Sequence, residues 1–488
     1  MGKDTLYMIF AQMIFIASAT AVHVGLGRIL GPVPYGEFGV ITSLLTVLEV
    51  LLARGIRDAV TKYTAEFPER SHAIKRQGLA IGAIFGGLVF VLYVAMAKPI
   101  ALVFHDANLA RPLRVSALII PLITVYSVLI GHLSGKRMFG KRALAMNIQS
   151  LAKVAAVYIL ALAGFGLQGA VSGYVISHAF ALLTAFYLSK EPGPEEDAFP
   201  ASKLIFFAMP IVGFSVLLSV LMNLDIFFVK TLIKEAPAAG FYTAALALTR
   251  APYFISYAFA VTLLPLISQL TSLNRLQEVS QYINKSLRYL LIVLAPLAFF
   301  TSGLSGPIIE LVYSSRYLPA AAPLCLLIFG VTFLTLFSVL AAVINGSGRP
   351  KTSMALACAI LPLDFLLNLL LIPRFGLSGA AAATTLTSLT GVIGASLVVR
   401  KKFGPLMSRT SFFRIMLSAS SLFVIARLRP VHGWGLILYG GGLFGLYLLV
   451  LVLIKEITRV DFDITRNLWL GLVKKAAFKP ADGTSLDI

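Results

Sequence analysis

The stretch Phe165-Gly-Leu-Gln-Gly-Ala170 returns 210 residues later as Phe375-Gly-Leu-Ser-Gly-Ala380, and that recurrence decides how the rest of the chain is read. In both copies the motif follows a long apolar run that opens just after a glycine and a lysine, Gly140-Lys141 in one and Gly348 to Lys351 in the other. A hydrocarbon core about 30 Å thick needs about 20 mostly apolar residues per helical crossing, which is the length of these runs. A fainter echo pairs Tyr35-Gly36-Glu37-Phe38 with Ala239-Gly240-Phe241-Tyr242.

Outward from the repeat, apolar runs fall at 5–30, 36–58, 79–104, 113–133, 142–164, 167–188, 204–230, 239–268, 287–312, 320–345, 352–372, 376–399, 411–427 and 433–455, fourteen in all. They are too long and continuous for barrel strands of about 10 residues with alternating polarity. Helices are the remaining element that satisfies its own backbone in lipid. Of 488 residues 58% are hydrophobic and 13% charged, whereas a soluble chain carries about 25% charged residues. The expectation is an all-α polytopic membrane protein of about fourteen transmembrane helices.

Each repeat holds six spans, an even number, so both halves enter the membrane in the same sense and are related by an axis along its normal. That is a transporter arrangement. The expected organisation is a six-helix bundle over 1–188, a linker over 189–203, a second six-helix bundle over 204–402, two further spans within 403–456 and a tail over 457–488. The linker carries Pro192, Pro194, Pro200, Glu195, Glu196 and Asp197, a break in every apolar pattern. In the tail, Asn467 to Phe478 carries Trp469 and alternates apolar with basic residues. It reads as an amphipathic helix along the interface, or else as a solvated tail.

The formal charge of +20 raises the prospect of nucleic acid, but the basic residues sit in short loops between spans, the pattern that fixes membrane topology. With the N-terminus in the cytoplasm, cytoplasmic segments hold 27 Lys and Arg and outside loops hold 10. Both termini are therefore expected inside the cell membrane. The first run is longer than a signal-peptide core and reads as a retained helix. Cys325 and Cys358 lie inside spans and the six histidines show no ligand spacing, so neither a disulfide framework nor a metal site is suggested.

Catalytic signatures are weak. Gly164 to Gly169 matches GxGxxG, but it joins two membrane helices rather than a strand and a helix. No GxxxxGK[ST] loop or GxSxG nucleophile turn is recognisable, so no cofactor or in-chain hydrolysis is expected. Asn345-Gly-Ser347 is a formal glycosylation sequon on an expected cytoplasmic loop.

The informative residues are the ionisable ones inside spans: Glu49, Arg54, Arg57, Asp58, Lys153, Asp225, Arg250 and Asp364. A charge at the helix centre costs about 2.5–3.5 kcal/mol on insertion scales and faces a cavity or a partner. The bland alternatives are local. Arg57 has Asp58 beside it or an interface to reach, Asp225 has Lys230 to balance, and Asp364 has Asn368 four residues on. Prolines inside spans, notably Pro121, Pro210, Pro252, Pro265, Pro296 and Pro362, bend helices and release carbonyls.

Leu30-Gly-Pro-Val-Pro-Tyr-Gly-Glu-Phe38 followed by Gly55-Ile-Arg-Asp-Ala-Val-Thr-Lys-Tyr-Thr-Ala-Glu66 resembles the opening of the oligosaccharide flippases, the polysaccharide transporter branch of the multidrug/oligosaccharidyl-lipid/polysaccharide (MOP) exporter superfamily. Asn223-Leu-Asp225, Leu264-Pro265, Asn345 to Pro350 and Asn368 to Ala380 extend the likeness over nearly the full length. The resemblance implies two six-helix bundles around a central cavity and two extra helices. It also implies export of an isoprenoid pyrophosphate-linked oligosaccharide by alternating access for polysaccharide biosynthesis.

A pyrophosphate stripped of water needs protein cations in its place. Arg54, Arg57, Lys153 and Arg250 are the candidates for that role, with Asn147, Asn223 and Asn368 as sugar contacts. Asp225 and Asp364 are the acids placed to bind a coupling cation, H+ or Na+. Other partners are membrane lipids, and two bundles in one chain suit a functional monomer. Three alternatives stay open: a lipid II flippase, a drug or cation antiporter of the same superfamily, and a membrane glycan polymerase or ligase.

Overall fold

The computed structural model describes residues 2–190, 198–428, 431–458 and 461, and every regular element among them is helical. The expected amphipathic segment 467–478 and the acidic part of the linker lie outside the described residues. The first half contains α1 (Gly2–Leu30), α2 (Pro32–Glu49), α3 (Gly55–Glu66), α4 (Ser71–Val103), α5 (Ala110–Ser116), α6 (Ile119–Gly135), α7 (Phe139–Leu160) and α8 (Gly166–Leu188). The second contains α9 (Ala201–Leu221), α10 (Leu224–Leu232), α11 (Ala238–Leu248), α12 (Ala251–Ser272), α13 (Leu276–Gly303), α14 (Ser305–Val312), α15 (Ala321–Gly346) and the bent α16 (Pro350–Phe403). A final hairpin is formed by α17 (Arg409–Leu428) and α18 (Gly435–Leu453).

Among the described residues, eleven helical stretches are long and apolar enough to cross a membrane. They do not map one to one on the fourteen expected runs. Runs 142–164 and 167–188 share the stretch Phe139–Leu188, and runs 352–372 and 376–399 share Pro350–Phe403. Run 239–268 is cut at Thr249–Arg250, between α11 and α12. Pro252, in the first turn of α12, has no amide hydrogen to carry the ladder across that point. The outer surface carries large bare side chains such as Leu438 (82% exposed) and Trp434 (79%), which suits hydrocarbon rather than water.

The internal repeat is written in the backbone. Gly166 adopts φ 52, ψ −133 and Gly376, 210 residues later, adopts φ 56, ψ −133. This mirror-image region is open to glycine and strained for any residue with a Cβ. Each turn sends the chain back along the helix it has just left. A Cβ on Gly169 would stand 2.7 Å from the Leu160 carbonyl oxygen, and one on Gly379 would stand 2.2 Å from that of Leu371.

The fainter echo has a structural counterpart as well, because its two copies touch. A Cβ on Gly36 would lie 2.4 Å from the Gly240 nitrogen, and one on Gly240 would lie 1.9 Å from the Pro32 oxygen. The backbones of α2 and α11 therefore cross in direct contact. Around this crossing one apolar core is shared by both halves, with Val22, Leu26 and Phe38 against Ile226, Val229 and Leu324. A second seam runs along α3 and α9, where Tyr63 packs on Phe207 at 5.8 Å and Lys62 stands 4.5 Å over the same ring.

The hairpin of α17 and α18 packs on α13 in its own core, with Ile415, Leu422 and Leu443 against Ala295 and Leu304. Its exit is pinned by ion pairs from Arg288 to Glu456 at 2.8 Å and to Asp461 at 3.0 Å. Burial alone would push the Asp461 carboxyl up, but the Arg288 guanidinium, helped by Thr458 and Tyr289, holds it well below the usual carboxylate range.

Replacing Gly166 or Gly376 by alanine forces a Cβ into the mirror-image region. Each substitution is expected to cost about 1–3 kcal/mol. Thermal unfolding of the purified protein in micelles should show lower midpoints for both single variants, and a lower one still for the double variant.

Candidate functional site

The charged residues of the spans converge where α2 gives way to α3. The five residues Val50–Arg54 form a single wide π turn, a local widening that often marks functional positions. It interrupts α2 at mid-span, much as the break at Thr249–Arg250 interrupts the matching element of the second half. Two adjoining cavities open at these interruptions, and Thr46 and Arg250 line both.

The first cavity encloses about 1310 Å³ of empty space, counting its mouth, and lies mainly within the first half. Lys153 of α7 is its central cation. Its side chain is buried at 6% exposure, with the ammonium 5.1 Å from the centre of the Phe15 ring and 5.2 Å from that of Tyr174. No carboxylate lies within ion-pair distance of it among the described residues. Two rings replace part of its hydration and leave its positive charge directed into the cavity. Glu49, His23, Gln149 and His178 complete the polar wall. Tyr126, also on the wall, and Ser150 beside Lys153 carry buried hydroxyls with no partner.

The second cavity encloses about 1010 Å³ between α2 and the second half, and is lined by Arg54, Asn223, Asp225, Arg250 and Thr384 among others. Asp225 is fully engaged. Its carboxylate accepts from the Tyr242 hydroxyl at 2.6 Å, the Thr384 hydroxyl at 3.2 Å and the Ile226 amide at 2.9 Å. Behind it, Asp364 is 1% exposed and neither of its carboxylate oxygens has a hydrogen-bond partner. The side-chain oxygens of Asn368 and Thr387 are buried and unpartnered too. An unpaired carboxylate in so dry a site costs several kcal/mol.

The structure sorts the residues singled out in the sequence. Lys153 and Arg250 line the first cavity, and Arg54, Arg250, Asn223 and Asp225 the second. Arg57 lines neither; it pairs with Asp58 at 3.2 Å, although its charge acts on Glu49. Asn147 lines neither and keeps a buried, unpartnered oxygen. Asn368 is 0% exposed and donates to the backbone oxygen of Asp364 at 2.9 Å, not to its carboxylate. Lys230 does not balance Asp225, because it pairs with Asp106 of the first half at 2.8 Å.

Sequence reasoning missed His23, Gln149, Tyr174 and His178, since lone polar and aromatic residues on apolar helices carry no spacing signal. It also missed Tyr242 as the partner of Asp225, although Tyr242 stands inside the echoed motif.

Beyond the cavities, the end of the molecule around Leu30 and Pro32 is sealed by contacts between the halves. Arg28 donates to the backbone oxygens of Val312 at 2.7 Å and Leu311. The Tyr35 and Tyr313 hydroxyls lie 3.0 Å apart, and Tyr317 donates to the Gly27 oxygen at 2.7 Å. With the Asp106–Lys230 pair, these are the hydrogen bonds and ion pairs described between the two bundles.

A family model described as polysaccharide biosynthesis protein matches residues 26–322. An uncharacterized membrane protein of Methanocaldococcus jannaschii is 32% identical over 131 residues, 27% of this chain and 26% of that relative, so the match spans about a quarter of its length. The lipid III flippase of Escherichia coli is 25% identical over 330 residues, 62% of this chain and 77% of the relative. Among solved structures, the inward closed conformation of the lipid II flippase MurJ aligns with a TM-score of 0.74 at 15% identity, covering 93% of this chain and 99% of that one. An inward-facing multidrug resistance MATE family transporter of the MOP superfamily aligns with a TM-score of 0.70 at 15% identity, covering 82% and 98%. The fold is thus that of these transporters.

Tyr242→Phe removes the shortest bond to the Asp225 carboxylate and leaves packing intact. Loss of a partner to a buried charged group is expected to cost about 1–3 kcal/mol, read as a lowered midpoint in thermal unfolding.

Proposed function

The chain belongs to the polysaccharide biosynthesis protein family, and on that premise we propose that it is a flippase for an isoprenoid pyrophosphate-linked oligosaccharide, moving the headgroup from the inner to the outer leaflet of the cell membrane. The observation that carries this reading is Lys153, a desolvated ammonium on the wall of a membrane cavity, with Glu49 on the same wall but no carboxylate within ion-pair distance among the described residues. Such a site attracts an anion, because an entering phosphate gains charge-assisted hydrogen bonds in place of the water it sheds. Arg250, shared by both cavities, and Arg54 extend the cationic path from the first cavity into the second. The wall groups Gln149 and Asn223 offer donors and acceptors to sugar hydroxyls, with Asn147 and Asn368 behind the surface in reserve for another state.

Alternating access supplies the movement. The positive-inside count puts both termini in the cytoplasm, which turns the sealed Leu30 end outward and the cavities towards the cell interior. Both bundles then rock about the α3–α9 seam while the isoprenoid stays in lipid. An anionic headgroup moving outward also moves down an inside-negative potential, worth about 2.3 kcal/mol per charge per 100 mV. Resetting the empty carrier is assigned to a cation, H+ or Na+, held by Asp364 and Asp225. The unpartnered oxygens of Asp364, Asn368 and Thr387 support that assignment.

Purified protein in liposomes with a fluorescent pyrophosphate-linked oligosaccharide tests the reading through leaflet accessibility. Lys153→Ala and Arg250→Ala are expected to slow translocation about 10- to 100-fold, the value of a charge-assisted bond of about 1.5–3 kcal/mol. Arg57→Ala is expected to slow it less. A wild-type rate equal to that of empty liposomes would sink the proposal.

The coupling role has its own check. Sodium chloride, compared with choline chloride, or a drop in pH should raise the unfolding midpoint of the wild type and leave that of Asp364→Asn unmoved. An equal response in both would remove Asp364 from the coupling site.

A further inference from the structure

His23 stands where the first cavity meets the outward seal. Its ring lines the cavity, and its Nδ1 lies 3.1 Å from the Tyr35 hydroxyl. Tyr35 is completely buried, and the same hydroxyl meets Tyr313 of the second half at 3.0 Å. Tyr313 lines the cavity as well, packs on Tyr35 at 5.7 Å and on Tyr317 at 5.2 Å, and reaches α1 because residue 27 is glycine. A Cβ there would come within 2.6 Å of the Tyr313 ring. One unbroken chain, His23 to Tyr35 to Tyr313, thus runs from the cavity wall to the contact that joins the two halves.

The chemistry of that chain is finite. Tyr35 has one proton to donate, and its oxygen accepts from whichever neighbour turns a donor towards it. In the empty cavity the hydroxyls of Tyr35 and Tyr313 and the Nδ1 of His23 satisfy one another in a site that holds little else for them. A phosphate near Lys153 adds acceptor oxygens and negative charge to the same cavity. It draws His23 into donating to it, from a ring turned away from Tyr35 or through a changed tautomer. Either change alters what Tyr35 receives, and with it the Tyr35–Tyr313 bond.

We propose that His23 is a positioning residue that reports occupancy of the cavity by a phosphorylated headgroup to the outward seal, loosening the Tyr35–Tyr313 bond when such a group binds. The inference rests on the flippase reading, but it makes a separate claim. The seal yields to cargo through this chain and not through general repacking. His23 touches the anion only as a messenger, while Lys153 and Arg250 hold it.

Pulsed electron–electron resonance on the full chain in nanodiscs tests this, with spin labels at Asn108→Cys and Glu235→Cys, exposed positions beside the Asp106–Lys230 contact in the first and second halves. The background removes Cys325 and Cys358, and the probe is farnesyl diphosphate, with farnesol as the uncharged control. In the otherwise wild-type protein, farnesyl diphosphate should shift the distance distribution to longer values and farnesol should not.

His23→Phe keeps the ring volume but loses one hydrogen bond to the phosphate, so by microscale thermophoresis it should bind farnesyl diphosphate about 10-fold more weakly than wild type, yet show no distance shift at a concentration that saturates it. Tyr35→Phe should show the longer distance without any ligand. If His23→Phe responds as the wild type does, or if the wild type binds farnesyl diphosphate with no shift, the inference is overturned and the flippase reading stands. If the wild type does not bind farnesyl diphosphate, or if Lys153→Ala binds it as tightly, the headgroup site falls and the inference falls with it.

Discussion

A charge within a bilayer must have water, a counter-charge or a ligand, and the architecture of this chain follows from how it meets that demand for Lys153. The ammonium is sunk among helices with two aromatic rings over it and no carboxylate within ion-pair distance among the described residues. Such a group is tolerable only beside a cavity, because in continuous hydrocarbon it costs about 2.5 kcal/mol or more. The cavity in turn requires helices that part at mid-span without unsealing their backbones. The π turn at Val50–Arg54 and the break before Pro252 provide that opening on the two sides of the interface.

The two halves share a backbone plan and differ in electrostatics. Gly166 and Gly376 make the same mirror-image turn, and Gly36 and Gly240 let the paired elements cross in contact. On that common frame the first half places Lys153 and Glu49 on its cavity wall, and the second places Asp225 on its own wall with Asp364 behind it. Asp225 is satisfied by Tyr242 and Thr384, whereas Asp364 is left without a partner. A duplicated scaffold thus carries different charges at its two interrupted elements, Lys153 beside the first cavity and Asp225 and Asp364 in the second half.

Much of this was legible in the sequence, and the reasons are specific. Continuous apolar runs are unambiguous where water is absent, and a glycine motif repeated at a fixed spacing marks a backbone conformation that other residues resist. The in-span charges were legible as a set because each is costly. Their partners were not. The one exception is Arg57, whose pair with adjacent Asp58 was among the local readings, whereas Lys230 reached Asp106, 124 residues away, past the nearer Asp225. Pairing depends on which helix faces lie side by side, and a single chain carries no record of that. The same ignorance hid His23 and His178, and it put Asn147 and Asn368 on a cavity wall when the packed helices hold them behind it. The run at 239–268 shows a subtler limit: its hydropathy is continuous, but Pro252 ends the hydrogen-bond ladder and makes two helices of one apolar stretch.

The strength of the seal sets what can open it. Between the bundles it comprises four described hydrogen bonds, from Arg28, Tyr35 with Tyr313, and Tyr317, and the Asp106–Lys230 pair. At about 0.5–1.5 kcal/mol per hydrogen bond, the hydrogen bonds amount to a few kcal/mol, to which the largely buried Asp106–Lys230 pair adds. Shifting a two-state equilibrium from 1:99 to 99:1 takes about 5.5 kcal/mol of differential binding, the same order of size. A ligand making two charge-assisted bonds in only one state commands that much. The glycine crossing of α2 and α11 is also enclosed by an apolar core that both halves share, with Tyr35, Tyr313 and Tyr317 packed ring on ring beside it. Parting the halves exposes that core as well as breaking the polar bonds, so a ligand reverses the seal only if the open state regains contacts for those side chains.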